Sequence, residues 1–139
     1  LSFLEASDEV LVVTTTEPTS IADAYGIIKT VAKEIDNCDI NLKLIVNRVS
    51  SAQDSKGIAE RIIQIASQFL NVKVEYLGFV YNDDAVLNAV LAQKPFFIHA
   101  PSSKASSCLK HIVAKLEKVE YNDMGGGFSK FLKKLFARK

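Results

Sequence analysis

The stretch Glu9 to Thr15 reads EVLVVTT. It is short, rich in β-branched residues and almost unbroken in its hydrophobicity, which is how a strand buried on both faces reads. Pro18 ends it, and Thr19 and Ser20 are suited to cap the next helix. From Ile21 to Ile35 the apolar residues fall at Ile21, Ala24, Tyr25, Ile28, Val31, Ala32 and Ile35, the spacing of one helix face.

The same alternation continues along the chain. A second strand is predicted over Asn41–Val46 (NLKLIV), running into Asn47, Arg48 and Val49. Ser50 to Asp54 form a polar turn with capping candidates. A second amphipathic helix is predicted over Ile58–Leu70, with Ile58, Ile62, Ile65, Ala66 and Phe69 inward. Val72–Val80 (VKVEYLGFV) reads as a third strand. Asp83 and Asp84 can cap a short helix, Ala85–Ala92, which Lys94 and Pro95 break. Phe96 to Ile98 then pack briefly, and Pro101-Ser102-Ser103 starts a last helix that ends near Val119.

Strand, helix, strand, helix, strand, helix is the pattern of βαβ units. It predicts an α/β fold, a parallel sheet with helices on both faces. Three strands are few for such a sheet, and an open edge invites aggregation. Further strands are therefore expected from an absent N-terminal half or from a partner. The opening on Leu1-Ser2-Phe3 rather than Met points the same way, to a piece of a longer protein.

The chain has 139 residues, 48% of them hydrophobic and 24% charged, the composition of a globular protein with a core. Its formal charge of +1 hides an asymmetry. Residues 128–139 (FSKFLKKLFARK) carry five Lys/Arg and no acid, leaving 12 basic and 16 acidic side chains elsewhere. A mildly acidic body does not point to nucleic acid as partner. Cys38 and Cys108 are far apart and unmotivated as a pair, and no secretory leader is visible, so a reducing, cytosolic setting is expected with both thiols structural.

The terminal segment has a pattern of its own. Phe128, Phe131, Leu132, Leu135 and Phe136 line one helix face, and Lys130, Lys133, Lys134 and Arg138 lie between them. Gly125 to Gly127 precede it, so residues 123–127 read as a hinge after a body spanning 1–122. A helix of this length, about 18 Å, is too short to span a bilayer but suits the interface of an anionic membrane. Docking on the body or in a partner's groove is the alternative.

Ligands of open parallel sheets bind at the carboxyl ends of the strands. Here those ends are Thr14 to Pro18, Asn47 to Val49 and Tyr81 to Asp84. The chain has no GxxxxGK[ST] loop and no GxGxxG, so nothing in it cradles a triphosphate. His99 and His111 are isolated, and no metal-ligand spacing or catalytic triad is visible. The chain by itself is not expected to be a self-sufficient enzyme.

Three runs carry a family resemblance. DEVLVVTTTEPTSIADAYGIIKTV (Asp8 to Val31) resembles the segment after the second switch region of MinD/ParA-type P-loop ATPases, nearest to the flagellar-number-regulator branch known as FlhG, YlxH or FleN. LGFVYNDDAVLNAVLAQKPFFIHAPSSKAS (Leu77 to Ser106) resembles a later segment of the same fold, and GFSKFLKKLF (Gly127 to Phe136) resembles the membrane-targeting helix of MinD. The resemblance covers essentially the whole chain but only the C-terminal half of the family's fold. Thr16 stands where the family usually has proline.

The resemblance implies site residues. Asn47 matches the position whose amide reads an adenine base, with Arg48 flanking it; a turn residue capping the next helix is the other reading of Asn47. Val80, Tyr81, Asn82 and Asp83 match the loop that walls the adenine pocket. Glu17, Pro18, Ser20 and Asp23 match a nucleotide-dependent dimer face. The phosphate-binding lysines and magnesium ligands would belong to the absent half, so ATP with Mg would be a cofactor of the whole protein rather than of this chain alone.

The function so implied is regulation of flagellar number and placement by ATP-driven homodimerisation and reversible membrane binding, in the cytoplasm and at the inner face of the cell membrane. The implied partners are a flagellar signal-recognition-type GTPase or flagellar switch components. A cell-division MinD that positions a septum inhibitor and a non-enzymatic membrane-tethered adaptor are the alternatives.

Overall fold

The computed structural model describes residues 9–34 and 41–117. Three parallel strands, β1 (Glu9–Thr14), β2 (Asn41–Val49) and β3 (Val74–Tyr81), form one sheet in the order β1-β2-β3. The helices are α1 (Pro18–Glu34), α2 (Ala52–Leu70), α3 (Asp84–Leu91), α4 (Phe96–His99) and α5 (Lys104–Leu116). The expected alternation and parallel sheet are thus observed. The glycine hinge at 123–127 and the amphipathic segment 128–139 lie outside the described residues.

β2 is buried over five consecutive residues, Leu42 to Val46. Leu42, Leu44 and Val46 point to one face, where Ala24, Ile28 and Val31 of α1 and Ala59, Ile62 and Ala66 of α2 cover them. Ile45 points to the other face and packs with Leu77 of β3 and Ile112 of α5. Helices therefore lie on both faces, α1 and α2 on one and α5 on the other. Placing both β-to-β crossovers on one face, as the strand order advances by one each time, is the arrangement of consecutive right-handed units.

Four local readings are corrected by the structure. β1 is not buried on both faces: Leu11 is 44% and Val13 57% exposed, because α5 covers the far face only over β2 and β3. Phe69 is not inward but 74% exposed, whereas Ser55, Ala59, Ile62 and Ala66 form the buried stripe of α2. α2 begins at Ala52, one turn and more before Ile58, because the Ser51 side chain accepts the Asp54 N–H at 3.1 Å and caps it there. α1 begins at Pro18, whose missing N–H is tolerated at a first helical position. Thr19 and Ser20 thus sit in the first turn rather than capping it.

On the far face Lys43 is 4% exposed and its ammonium donates to the Glu9 carboxylate at 2.7 Å. A buried charge persists only when so paired. At the outer edge Tyr76 bridges two layers: its hydroxyl hydrogen-bonds Ser55 of α2, and the Lys115 ammonium of α5 lies 5.6 Å from its ring centre. β3 also carries a local irregularity, with Leu77 inserted between the pairs Leu44↔Tyr76 and Ile45↔Gly78. Gly78 has φ +155, and a Cβ there would stand 2.9 Å from Ile112 Cγ1.

Gly78 is therefore what lets α5 lie against β3. Gly78→Ala is expected to lower stability by about 1–3 kcal/mol through overpacking. In urea unfolding, Ile112→Ala, which removes the crowding Cγ1, combined with Gly78→Ala should cost less than the sum of the two single losses, and strict additivity would contradict the contact.

A second expectation concerns alkaline pH. The hydrogen bond to Glu9 is the main cause that holds the Lys43 ammonium above its ordinary 10.5, and burial likewise pushes the Tyr76 phenol above 10.0. Both groups keep their proton more tightly when folded. Their contribution is complete below those values and is lost as pH rises through the folded ones. Urea midpoints should fall above pH 10.5, less steeply for Lys43→Met than for the parent chain.

Candidate functional site

The carboxyl ends of the three strands meet at one end of the sheet. β2 continues to Val49, so Asn47 and Arg48 lie within the strand rather than in a turn after it. Val46 pairs with Phe79 and Val49 with Tyr81. Asn47 and Arg48 together therefore oppose the single residue Val80, which makes a bulge. Arg48 has φ 56, in the left-handed region that an arginine seldom adopts. Its N–H donates to Asn47 Oδ1 at 2.9 Å. The reading of Asn47 as cap of the next helix is overturned, since Ser51 holds that place. Among the described residues the Asn47 amide nitrogen has no hydrogen-bond acceptor. Its two hydrogens and one oxygen lone pair are what a base edge would meet.

The β3–α3 loop is fastened beside this bulge. Asn82 N–H donates to Val49 O at 2.9 Å. Asp83 caps α3, in keeping with its place before an apolar run, with Oδ1 accepting Ala85 N–H at 2.9 Å. Its second oxygen does more than the sequence could show: Oδ2 accepts Ala105 N–H of α5 at 3.0 Å. One carboxylate thus ties two helix starts, from residues 22 apart in sequence. These amides, Ala105 first and Ala85 next, hold the Asp83 carboxyl below its ordinary 3.8. With both oxygens engaged, Asp83 shapes the loop rather than offering a free carboxylate. Val80 is half-buried against Ile45, Leu77 and Ile112, so it supports the bulge from below.

The structure brings Asn47, Arg48, Tyr81, Asn82 and Asp83 into one neighbourhood and places the β1 loop beside them on the next strand. In that loop Ser20 is engaged: its Oγ accepts Thr15 N–H at 2.9 Å and shares a hydrogen bond with Thr14 Oγ1 at 3.2 Å. Glu17, Pro18 and Asp23 are exposed. A polar cleft of about 400 Å³ opens between this loop and the start of α2, with Thr16, Gln53, Asp54 and Arg61 in its wall. Gln53 and Arg61 are not legible as site residues in the sequence, where they read as the solvent side of an amphipathic helix. Among the described residues no group of three His, Cys or carboxylate side chains could hold a metal ion.

The Asp83 linkage has a sign. The stability it contributes is present above pH 3.8 and is lost as pH falls through its lower folded value. Asp83→Ala should lower the thermal midpoint and flatten the acid limb of a urea-midpoint series below pH 3.8. An unchanged acid limb would show that the carboxylate does not hold α3 and α5.

No family model matches the chain. The chain is 32% identical over 117 residues to the antiactivator FleN of Pseudomonas aeruginosa, a match that takes in 84% of this chain and 41% of that protein. It is 32% identical over 139 residues to the flagellum site-determining protein YlxH of Helicobacter pylori, across 96% of this chain and 46% of YlxH. The chain thus spans less than half the length of these curated relatives. Two solved structures share its fold. The cell division ATPase MinD of Pyrococcus furiosus superposes with a TM-score of 0.59 at 21% identity, over 81% of this chain and 44% of that one. The septum site-determining protein MinD of Pyrococcus horikoshii, complexed with Mg-ADP, gives 0.61 at 18% identity, over 82% and 43%. The chain belongs to the MinD/ParA-type family, in its FlhG-like branch, and corresponds to the C-terminal part of those relatives.

Proposed function

We propose that this chain is the C-terminal part of a MinD-like ATPase that regulates flagellar number and placement. The observation that carries the nucleotide part is the bulge at Asn47 and Arg48, where left-handed backbone at Arg48 is held against the Asn82 loop. Strained backbone at a strand's carboxyl end is a feature of ligand sites. In this reading the Asn47 amide meets the edge of an adenine base, Arg48 flanks it, and the backbone of Val80 to Asp83 walls it. The phosphates and Mg would be held by residues outside this chain, and this chain alone would not turn over ATP. One of the solved relatives is complexed with Mg-ADP, which supports that assignment of ligand.

ATP binding would close a homodimer across a face that includes Glu17, Pro18 and Asp23, with Ser20 holding the loop in shape. Residues 128–139 would bind the anionic inner surface of the cell membrane, Phe and Leu in the acyl boundary and Lys and Arg on headgroups. Dimerisation doubles that contact and makes it switchable. A flagellar signal-recognition-type GTPase or switch component would read the output. Of the two relatives at 32% identity, YlxH is by name a flagellum site-determining protein and FleN an antiactivator, which favours this reading over septum placement.

Two measurements on the whole protein test this. Asn47→Ala should weaken Mg-ATP binding about tenfold in calorimetry, the effect of losing a base-edge hydrogen bond. Phe131→Glu with Phe136→Glu should abolish cosedimentation with anionic vesicles and leave nucleotide binding intact. Undiminished affinity in the first case would remove the adenine assignment. An absence of any nucleotide binding would favour the adaptor instead.

A further inference from the structure

A groove of about 520 Å³ runs along the outer side of β3 and α5, from Tyr76 to Tyr81, so that one of its ends adjoins the proposed nucleotide end of the sheet. Tyr76 and Phe79 reach it from the face shared with α2, while Leu77 and Ile112 belong to the opposite face. The groove therefore straddles the outer edge of the sheet. Among the described residues β3 has a strand on one side only. The Tyr76 carbonyl is met by the Lys115 ammonium at 3.4 Å, a long hydrogen bond that is readily exchanged. An unpaired strand edge is a template for a further strand.

Charge selects the occupant. α5 contains Lys104, Lys110 and Lys115 and no acidic residue. Lys104 stands at the end of the groove near Tyr81, and Lys115 at the end near Tyr76. The two lysines are eleven positions apart, a rise of roughly 16 Å along α5. An extended chain covers that distance in about five residues. The terminal segment 128–139 has the wrong sign for this groove, with five Lys/Arg and no acid.

We infer that the β3–α5 groove binds an extended segment of a protein partner, apolar in its middle and acidic at both ends. Its backbone adds a strand to the edge of β3, its apolar side chains pack on the half-buried rings of Tyr76 and Phe79, and its carboxylates meet Lys104 and Lys115.

The test uses the whole protein and a fluorescein-labelled heptapeptide with glutamate at each end and five alternating valines and leucines between. Its partner probe has lysine in place of both glutamates. By fluorescence anisotropy the acidic probe should bind at least tenfold more tightly, with a preference that shrinks as salt is raised. Hydrogen exchange at residues 74–81 should slow when it binds. Lys104→Gln with Lys115→Gln should erase the preference, and Lys104→Glu with Lys115→Glu should reverse it, each with an unchanged circular dichroism spectrum. Mg-ATP affinity measured on these variants should equal that of the parent, and Asn47→Ala should leave the probe's affinity unchanged. Equal binding of both probes overturns the inference. So does displacement of the acidic probe by an unlabelled peptide of residues 128–139, which would give the groove to this chain's own terminus. Loss of vesicle binding in the charge variants, with no probe bound by the parent, would overturn it in favour of a lipid surface.

Discussion

β2 is the strand on which the rest of the structure depends. It is hydrogen-bonded on both edges and buried on both faces from Leu42 to Val46, so there its backbone groups must be paired within the sheet and its apolar side chains covered by helices. Parallel neighbours cannot be joined by tight turns, which forces the long crossovers that α1 and α2 supply. Those helices cover Leu42, Leu44 and Val46, and the opposite side chain, Ile45, sets where α5 must lie. The polar end of the strand then falls at one rim of the sheet, where ligands of such folds are met.

At that rim the regular ladder gives way. Asn47 and Arg48 form the bulge, Arg48 takes a left-handed backbone, and the following loop is drawn in by the Asn82 amide. Asp83 stabilises this corner by joining two helix starts with one carboxylate, satisfying orphan N–H groups that would otherwise face solvent. Rigidity in the neighbouring loop is what a base-reading amide needs, because a misplacement of about 1 Å weakens a hydrogen bond steeply. The same corner fixes the N-terminal end of α5, and through it one end of the groove along β3.

Much of this was legible in the chain. The three strands, the helices between them and the capping role of Asp83 follow from apolar spacing and from polar residues placed before apolar runs. The family resemblance rests on contiguous runs such as TEPTSIADAY, and the relatives at 32% identity agree with it. The boundaries were less legible. A capped helix such as α2 begins where its first N–H groups find an acceptor, and Ser51 stands well ahead of the first apolar residue of the stripe. Phe69 read as inward from spacing alone, yet it lies on the last turn of α2, past the buried stripe that ends at Ala66.

Order and kind of element were determined by the sequence itself, because hydrophobic period and turn chemistry are local properties of the chain. So were the separation of charge, with its basic end on a mildly acidic body, and the absence of a phosphate-binding loop. What only the tertiary structure decided was which groups meet. The opposition of two residues of β2 to one of β3, the reach of Asp83 to an amide 22 residues away, the bare face of β1 and the open edge beside α5 are relations between elements. They depend on strand register and on the face each helix takes. Neither is encoded in any one segment, because each comes from the joint packing of segments distant in the chain.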